Sequence, residues 1–315
     1  MEHLFSIASR DELWSGGVLI ESRASHGRAR CRGNEIEAVG IGDRELIRRA
    51  ESRMKPMRTL ARKLRDARVR LVASARRVND YERDEASMSI TIAGVSVVTT
   101  AEHLILPSPR GGGERVPLRL RSGQAPAGEG SFPILWKNGS AAVLLHEACG
   151  HAAEHHQQSS WPKWLTIHDE PTFEIDDAGE PTRVVDLTRD APATSRRESF
   201  RDVPLKRMTN LIARQQNAPW SIPDERIEIE LVAGGAYEPL TGIVTVSIAV
   251  ADLVRGGQSI PLQPFQIRVA RDRVARAIAG ASGEPLPYPG VVCAREGQEL
   301  VVGSFAPLML TTELL

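Results

Sequence analysis

The chain has 315 residues and 40 basic against 40 acidic side chains, so no global field recruits nucleic acid. Hydrophobic residues make up 41%, enough for a sizeable core, while aromatics at 4% are too few for base-stacking platforms. No run of about 18 apolar residues exists, which excludes a membrane-spanning helix.

The length suggests about two domains. The first residues lack a basic stretch followed by a long apolar one, so no signal peptide is expected. Three unclustered cysteines, Cys31, Cys149 and Cys293, suggest a reducing compartment and a cytoplasmic location. Cys31, between two arginines, reads as a small residue near a strand end.

Residues 17–22 and 35–40 alternate like strands. Asp43 is a good helix N-cap, and the period then changes. Leu46, Ile47, Ala50, Met54, Met57, Leu60, Ala61, Leu64 and Ala67 recur mostly at three and four, which predicts one amphipathic helix. Pro56 should kink or split it. Its other face carries arginines and lysines from Arg48 to Arg65, a solvated surface or a binder of anionic partners. Residues 69–73, 89–92 and 95–100 read as strands, 110–113 as a glycine loop without a phosphate-binding ending, and 121–132 as a linker.

The C-terminal half centres on a helix beginning near residue 140, with Ser140 as its cap and Ala141 to Leu145 as its buried face. Strands follow at 165–169 and 183–187, with a turn at 176–179. The polar, cationic stretch 195–210 reads as a loop by composition. Strands resume at 227–232, where Gly234 and Gly235 break the run, and continue at 243–250, 253–254 and 265–269. A charged helical stretch follows at 271–281. Pro285, Pro287 and Pro289 exclude a central strand, and 291–303 has a hairpin pattern.

The helix carries His146-Glu147-Ala148-Cys149-Gly150-His151. Two imidazoles beside one carboxylate suit a catalytic zinc, with the imidazoles as ligands and the carboxylate as acceptor of a proton from zinc-bound water. The spacing is unusual. Histidines at i and i+5 lie about 140° apart on a regular α-helix and cannot share an ion. A π-type distortion reunites them, and Gly150 is the residue that tolerates one. The sequence therefore predicts a helix regular through Glu147 and distorted near Gly150. Histidines on helices are more often surface or core residues, so this segment alone leaves both readings open. His151 and His155, at i and i+4, form a rival pair, although His155 and His156 also suit the helix end. His168 is a further lone candidate on a strand.

Several segments occur together in the order seen in TldD/PmbA metallopeptidases. They are the His146–His151 motif, Arg196-Arg197-Glu198-Ser199 with Pro204, Met208-Thr209-Asn210, Gly234-Gly235, and Cys293 with Gly297-Gln298 and Val302-Gly303. The sequence resembles that family strongly over about residues 135–310 and weakly over the first hundred. The resemblance implies a zinc peptidase whose metal is held by His146, His151 and Cys293, with Glu147 as general base and a fourth position open to water. Cys149 is expected to point away from the ligands. The resemblance also implies unstructured peptide substrates lying along a sheet edge inside a homodimer or a heterodimer. Gly234, Gly235, Arg197 and Asn210 are the substrate-binding candidates. A non-catalytic, peptide-binding subunit is the alternative, and neither a nucleic acid nor a membrane is expected as a partner. Relative to the family, the N-terminal region is expected to be reduced, and the chain lacks a glycine-rich tail. The expected class is α+β. An N-terminal α/β domain with a long helix would span residues 1–128, and a largely antiparallel β domain carrying the distorted HExxxH helix would span 129–315.

Overall fold

The computed structural model describes residues 2–32, 35–40, 43–78, 81–92, 95–99, 132–157, 159–171, 174–175, 181–189, 195–197, 205–295, 298–312 and 314. The fold is α+β and mostly sheet. The N-terminal sheet contains β1 (Glu2–Ser15), β2 (Val18–Arg32), β3 (Glu35–Gly40), β4 (Arg68–Val78), β5 (Tyr81–Ile92) and β6 (Val95–Thr99). Their order is β3-β2-β1-β4-β5-β6, and every neighbouring pair is antiparallel. The expected α/β unit is therefore corrected to an antiparallel sheet with one helix. Short links such as Gly16-Gly17, both at positive φ, reverse the chain directly, whereas parallel neighbours need long crossovers.

Helix α1 (Arg44–Ala61) lies over β1, β4 and β5. Asp43 caps it as the sequence predicts, its carboxylate accepting from Glu45 N at 2.7 Å. Leu46, Ala50, Met54, Met57 and Ala61 are buried, and the last three join Val69, Leu71, Met88 and Ile90 in a core. Pro56 sits inside one continuous helix rather than between two. Several cations of the polar face are paired: Arg49 with Glu82 and Asp84, and Arg58 with buried Glu12 and with Glu51. The linker candidate and the 110–113 loop lie outside the described residues, apart from Phe132. The 176–179 turn also lies outside them.

The second sheet holds β7 (Ile134–Trp136), β8 (Leu165–Asp169), β9 (Val185–Asp186), β12 (Asn210–Gln215), β13 (Arg226–Glu238), β14 (Ile243–Arg255), β15 (Gln258–Pro261), β16 (Phe265–Ala270), β17 (Ile278–Arg295) and β18 (Gln298–Thr311). A separate hairpin, β10 (Ser195–Arg197) with β11 (Leu205–Arg207), replaces part of the expected 195–210 loop. The main order is β15-β14-β13-β7-β18-β12-β8-β9, with β16 on β14 and β17 on β18. The β7/β13 and β12/β18 pairs are parallel and the rest antiparallel. Central β7 is wholly buried, and Trp136 Nε1 donates to Thr311 Oγ1 at 2.9 Å.

One expectation shifts here and another holds. β13 runs through Gly234 and Gly235 to Glu238, with register shifts between Ile229 and Gly234. β17 spans the three prolines, and, as they require, it is not a central strand: among the described residues it pairs with β18 alone, and its register slips between Ser282 and Leu286 and between Tyr288 and Val291. Proline is tolerated there because an outer, bulged strand does not require every N–H. Between β16 and β17 lies the short helix Arg271–Ala277, which ends four residues before the expected 281.

Candidate metal and catalytic site

The sequence around the motif makes an unusually buried helix. Ala141–Leu145 is α-helical and every side chain in it is buried. Ser140 does not cap it: its hydroxyl donates to Ile229 O at 3.3 Å, because this helix begins inside the protein against β13. The backbone then widens into a π-turn over His146–His151 and returns to α over Ala152–Glu154. The distortion thus begins at His146, earlier than the sequence reading placed it. A widened turn must span the whole interval between the histidines to stack residues five apart, so it cannot start after the first of them. Gly150 serves packing: it is not among the positive-φ glycines, so its role here is close approach. A Cβ there would lie 2.0 Å from Met208 Sδ, so only glycine lets the segment after β11 press against the turn.

The helix closes with His155 and His156, as its polar end suggested. His156 takes φ of 58°, and its N–H donates to Ala153 O while Gln157 N–H donates to Ala152 O. This is a Schellman ending with histidine in the usual glycine place. His155 lines the cleft beside Tyr237 but is not part of the ligand cluster, so the rival His151/His155 pair is not assembled.

The π-turn brings the His146 and His151 rings to a centroid separation of 4.9 Å, edge to face. Cys293, on β17 opposite Leu300, places its sulfur 3.3 Å from His151 Nε2. Ligand atoms of His146, His151 and Cys293 all lie within 4.8 Å of one another. His146 is completely buried, and neither ring nitrogen has a hydrogen-bond partner among the described residues. Burial, reinforced by the charges of His151 and Arg207, holds its pKa well below the ordinary histidine value. A neutral imidazole without hydrogen-bond partners is costly to bury, and ligation of a metal ion is one way to offset that cost. Two imidazoles and a thiol also form a donor set suited to a tetrahedral zinc with one open position. The residues therefore fit the group that the sequence implies.

Glu147 is buried beside them, with Oε2 3.8 Å from His151 Nε2. Burial pushes its carboxyl up to about 7, with His151 opposing and Glu154 adding to the rise. A Cβ on Gly235 would lie 2.6 Å from Glu147 Cγ, so the backbone of β13 touches this carboxylate side chain. A cleft of about 400 Å³ opens here, lined by Glu147, His151, Gly235, Tyr237, Cys293 and Arg295 among others.

Three supporting residues escaped the sequence reading. Glu154 Oε2 lies 3.0 Å from His151 Nδ1, and its other oxygen accepts from Met208 N at 3.0 Å. Burial would raise the Glu154 pKa, but its bond to His151 and the nearby charges hold it below the ordinary range. For His151 the pull of burial is likewise outweighed: its bonds to Cys293 and Glu154 bring it up to about 11. Arg207, wholly buried, donates from Nη2 to both the carbonyl oxygen and the sulfur of Cys293, each at 2.9 Å. Arg295 Nη1 lies 3.6 Å from Glu154 Oε2. The i,i+3 spacing of His151 and Glu154 was the available signal for one of these contacts. Nothing local marks Arg207, whose partners are remote in sequence.

The remaining candidates stand apart. Cys149 is buried with its sulfur 3.7 Å from Leu187 O, and burial pushes its thiol up. His168 on β8 lies beside Glu170 at 3.6 Å, outside the cluster. Asn210 donates from its side chain to Glu170 O at 2.8 Å, joining β12 to the end of β8. Gly234 neighbours the cleft-lining Gly235. Arg197 lies on β10, and its side chain is outside the described residues.

A scan against protein-family models found no match, and a search of curated sequences found none either. Solved structures do match. TldE from Thermococcus kodakarensis aligns with a TM-score of 0.51 at 10% identity, covering 98% of this chain and 96% of that one. A candidate modulator of a DNA gyrase from Thermotoga maritima aligns with a TM-score of 0.50 at 12% identity, covering 99% and 96%. Another candidate gyrase modulator, from Bacteroides thetaiotaomicron, aligns with a TM-score of 0.50 at 10% identity, covering 99% and 94%. The chain thus has, over nearly its whole length, the fold of TldE and its structural neighbours, the TldD/PmbA fold that its motif order resembles.

Proposed function

We propose that this chain is a zinc-dependent peptidase acting on unstructured peptides or peptide precursors. The observation that carries the reading is the convergence, beside one cleft, of a fully buried unpartnered imidazole, a second imidazole, a thiol and a carboxylate. His146, His151 and Cys293 would hold the ion. When bound, zinc acidifies water and polarises a carbonyl.

The rest of the work falls to the chain's own groups. Glu147 takes the proton from the attacking water, and its pKa near 7 lets it accept and then return a proton at neutral pH. Glu154 accepts from His151 Nδ1 and so turns Nε2 toward the cluster. Gly235 lets a strand backbone run against Glu147, so a peptide entering the cleft meets main-chain groups beside the base. Main-chain pairing of that kind discriminates weakly among side chains and suits unfolded substrates. Assembly as a homodimer or with a related subunit forms part of the proposal.

The test is metal analysis together with cleavage of denatured casein. Wild type should hold about one zinc per chain, and Cys293→Ala should lose it. Glu147→Gln should keep zinc and stop cleaving. No cleavage by the isolated wild-type chain, with recovery only after a related subunit is added, would replace the peptidase by a peptide-binding subunit.

A further inference from the structure

We infer that Arg207 and Glu154 form a single buried positioning pair that sets the two metal ligands supplied by distant parts of the chain, His151 and Cys293. This rests on the reading of the site as a zinc centre. Both side chains are completely excluded from solvent, with Arg207 Nε 3.5 Å from Glu154 Oε1. The two faces of the pair do different things. On one, Arg207 Nη2 holds the carbonyl oxygen and the sulfur of the same residue, Cys293, each at 2.9 Å. One donor group bound to both ends of one residue fixes the direction in which that side chain leaves its strand. On the other face, Glu154 Oε2 meets His151 Nδ1 at 3.0 Å, which fixes ring orientation and leaves Nε2 facing the sulfur.

Glu154 is itself fixed from two further directions. Met208 N donates to Oε1 at 3.0 Å, and Arg295 Nη1 approaches Oε2 at 3.6 Å. The strand end that delivers Arg207 therefore also delivers the backbone N–H that anchors its partner. His151 and Cys293 are 142 positions apart in sequence, and this pair is a rigid connection between them. Arginine is required because its planar fork reaches the cysteine through Nη2 while Nε faces the carboxylate. A lysine keeps the charge but presents a single point donor and cannot span both.

The inference is tested by metal retention, not turnover. Zinc affinity is measured by chelator competition for wild type, Arg207→Lys, Arg207→Met and the double variant Arg207→Met/Glu154→Gln, which removes both buried charges together. Circular dichroism of the metal-free proteins selects those that fold. Cobalt-loaded protein gives a second readout, because sulfur-to-cobalt charge-transfer absorption reports the Cys293 bond and would not respond to a merely structural role. Every folded variant should bind zinc about 10–100-fold more weakly, with a diminished sulfur-to-cobalt band. If Arg207→Met does not fold, Arg207→Lys and the double variant carry the test. Folded variants with wild-type affinity and an unchanged band would overturn the positioning role. A wild-type chain that binds neither zinc nor cobalt would instead overturn the proposed function.

Discussion

Gly235→Ala tests the placement of Glu147 without touching a ligand. Gly235 is not among the positive-φ residues, so alanine meets no backbone penalty and the effect is steric. The added Cβ would stand 2.6 Å from Glu147 Cγ, 2.9 Å from Oε1 and 3.0 Å from Cδ. Ordinary contact requires about 3.4 Å, so the side chain or the strand must yield by roughly 0.8 Å. Glu147 is only 3% exposed, and the space open to it is the cleft it lines, so yielding moves its carboxylate from its place beside His151. Misplacing a catalytic group by about 1 Å costs on the order of 100-fold in rate, or about 2.7 kcal/mol of transition-state stabilisation. Turnover of a fluorogenic unstructured peptide should therefore fall about 100-fold in kcat/KM. Zinc content should stay at the wild-type level, because His146, His151 and Cys293 keep their surroundings. A folded, zinc-loaded Gly235→Ala protein with wild-type kcat/KM would refute the contact as the determinant of base position.

The other expectations concern stability. Gly150→Ala would set a Cβ 2.0 Å from Met208 Sδ and 3.2 Å from Leu211 Cδ1. Overpacking of this kind costs about 1–3 kcal/mol, so the urea midpoint should drop, and adding Met208→Ala should recover part of the loss. At the other lobe, Asp43 and Glu51 both titrate below their ordinary values. Asp43 is held down chiefly by the backbone N–H of Glu45, and Glu51 by its hydrogen bond to Arg58. A lowered carboxylate pKa in the folded state stabilises above the unfolded value near 4 and loses that stabilisation as pH falls through the folded value. Thermal melts should show acid weakening of the α1 lobe. Asp43→Asn, which still caps, should reduce that acid sensitivity. Asp43→Ala should cost about 0.5–2 kcal/mol at neutral pH. Melts of Asp43→Asn that fall with acid as steeply as wild type would assign the sensitivity elsewhere.

What was legible in the sequence was what local chemistry determines. The α1 stripe shows at helical period because one face meets a sheet, and Asp43 shows because capping needs only the next few residues. The motif and its departure from a regular α-helix were visible because five-residue spacing and a glycine are properties of adjacent positions. Segments whose structure is set from afar were misread. The 195–210 stretch is rich in arginine and reads as solvated loop, yet Arg207 is buried because Glu154 and Cys293 wait for it inside. The prolines of β17, by contrast, were legible: they exclude a central strand, and β17 is an outer strand whose pairing among the described residues is with β18. Gly235 reads as a strand breaker, and its purpose appears only when Glu147 arrives from another element.

The three residues between Glu147 and His151 connect these observations. Ala148, Cys149 and Gly150 are all buried, and each is small. A π-turn bulges the backbone outward, so its inner residues need room on every side. Here β12 and the segment before it close on the turn, with Met208 and Leu211 against Gly150, and Leu187 O against Cys149. A larger side chain at Cys149 or Gly150 would push the turn away from these neighbours and separate the histidines it unites. The same enclosure takes Glu147 out of water and raises its pKa. It also leaves the His146 ring nitrogens without a hydrogen-bond partner among the described residues. Small residues at these positions are thus a condition of the proposed chemistry: they let the turn sit deep enough that its carboxylate pKa rises and its first imidazole faces the other two candidate ligands.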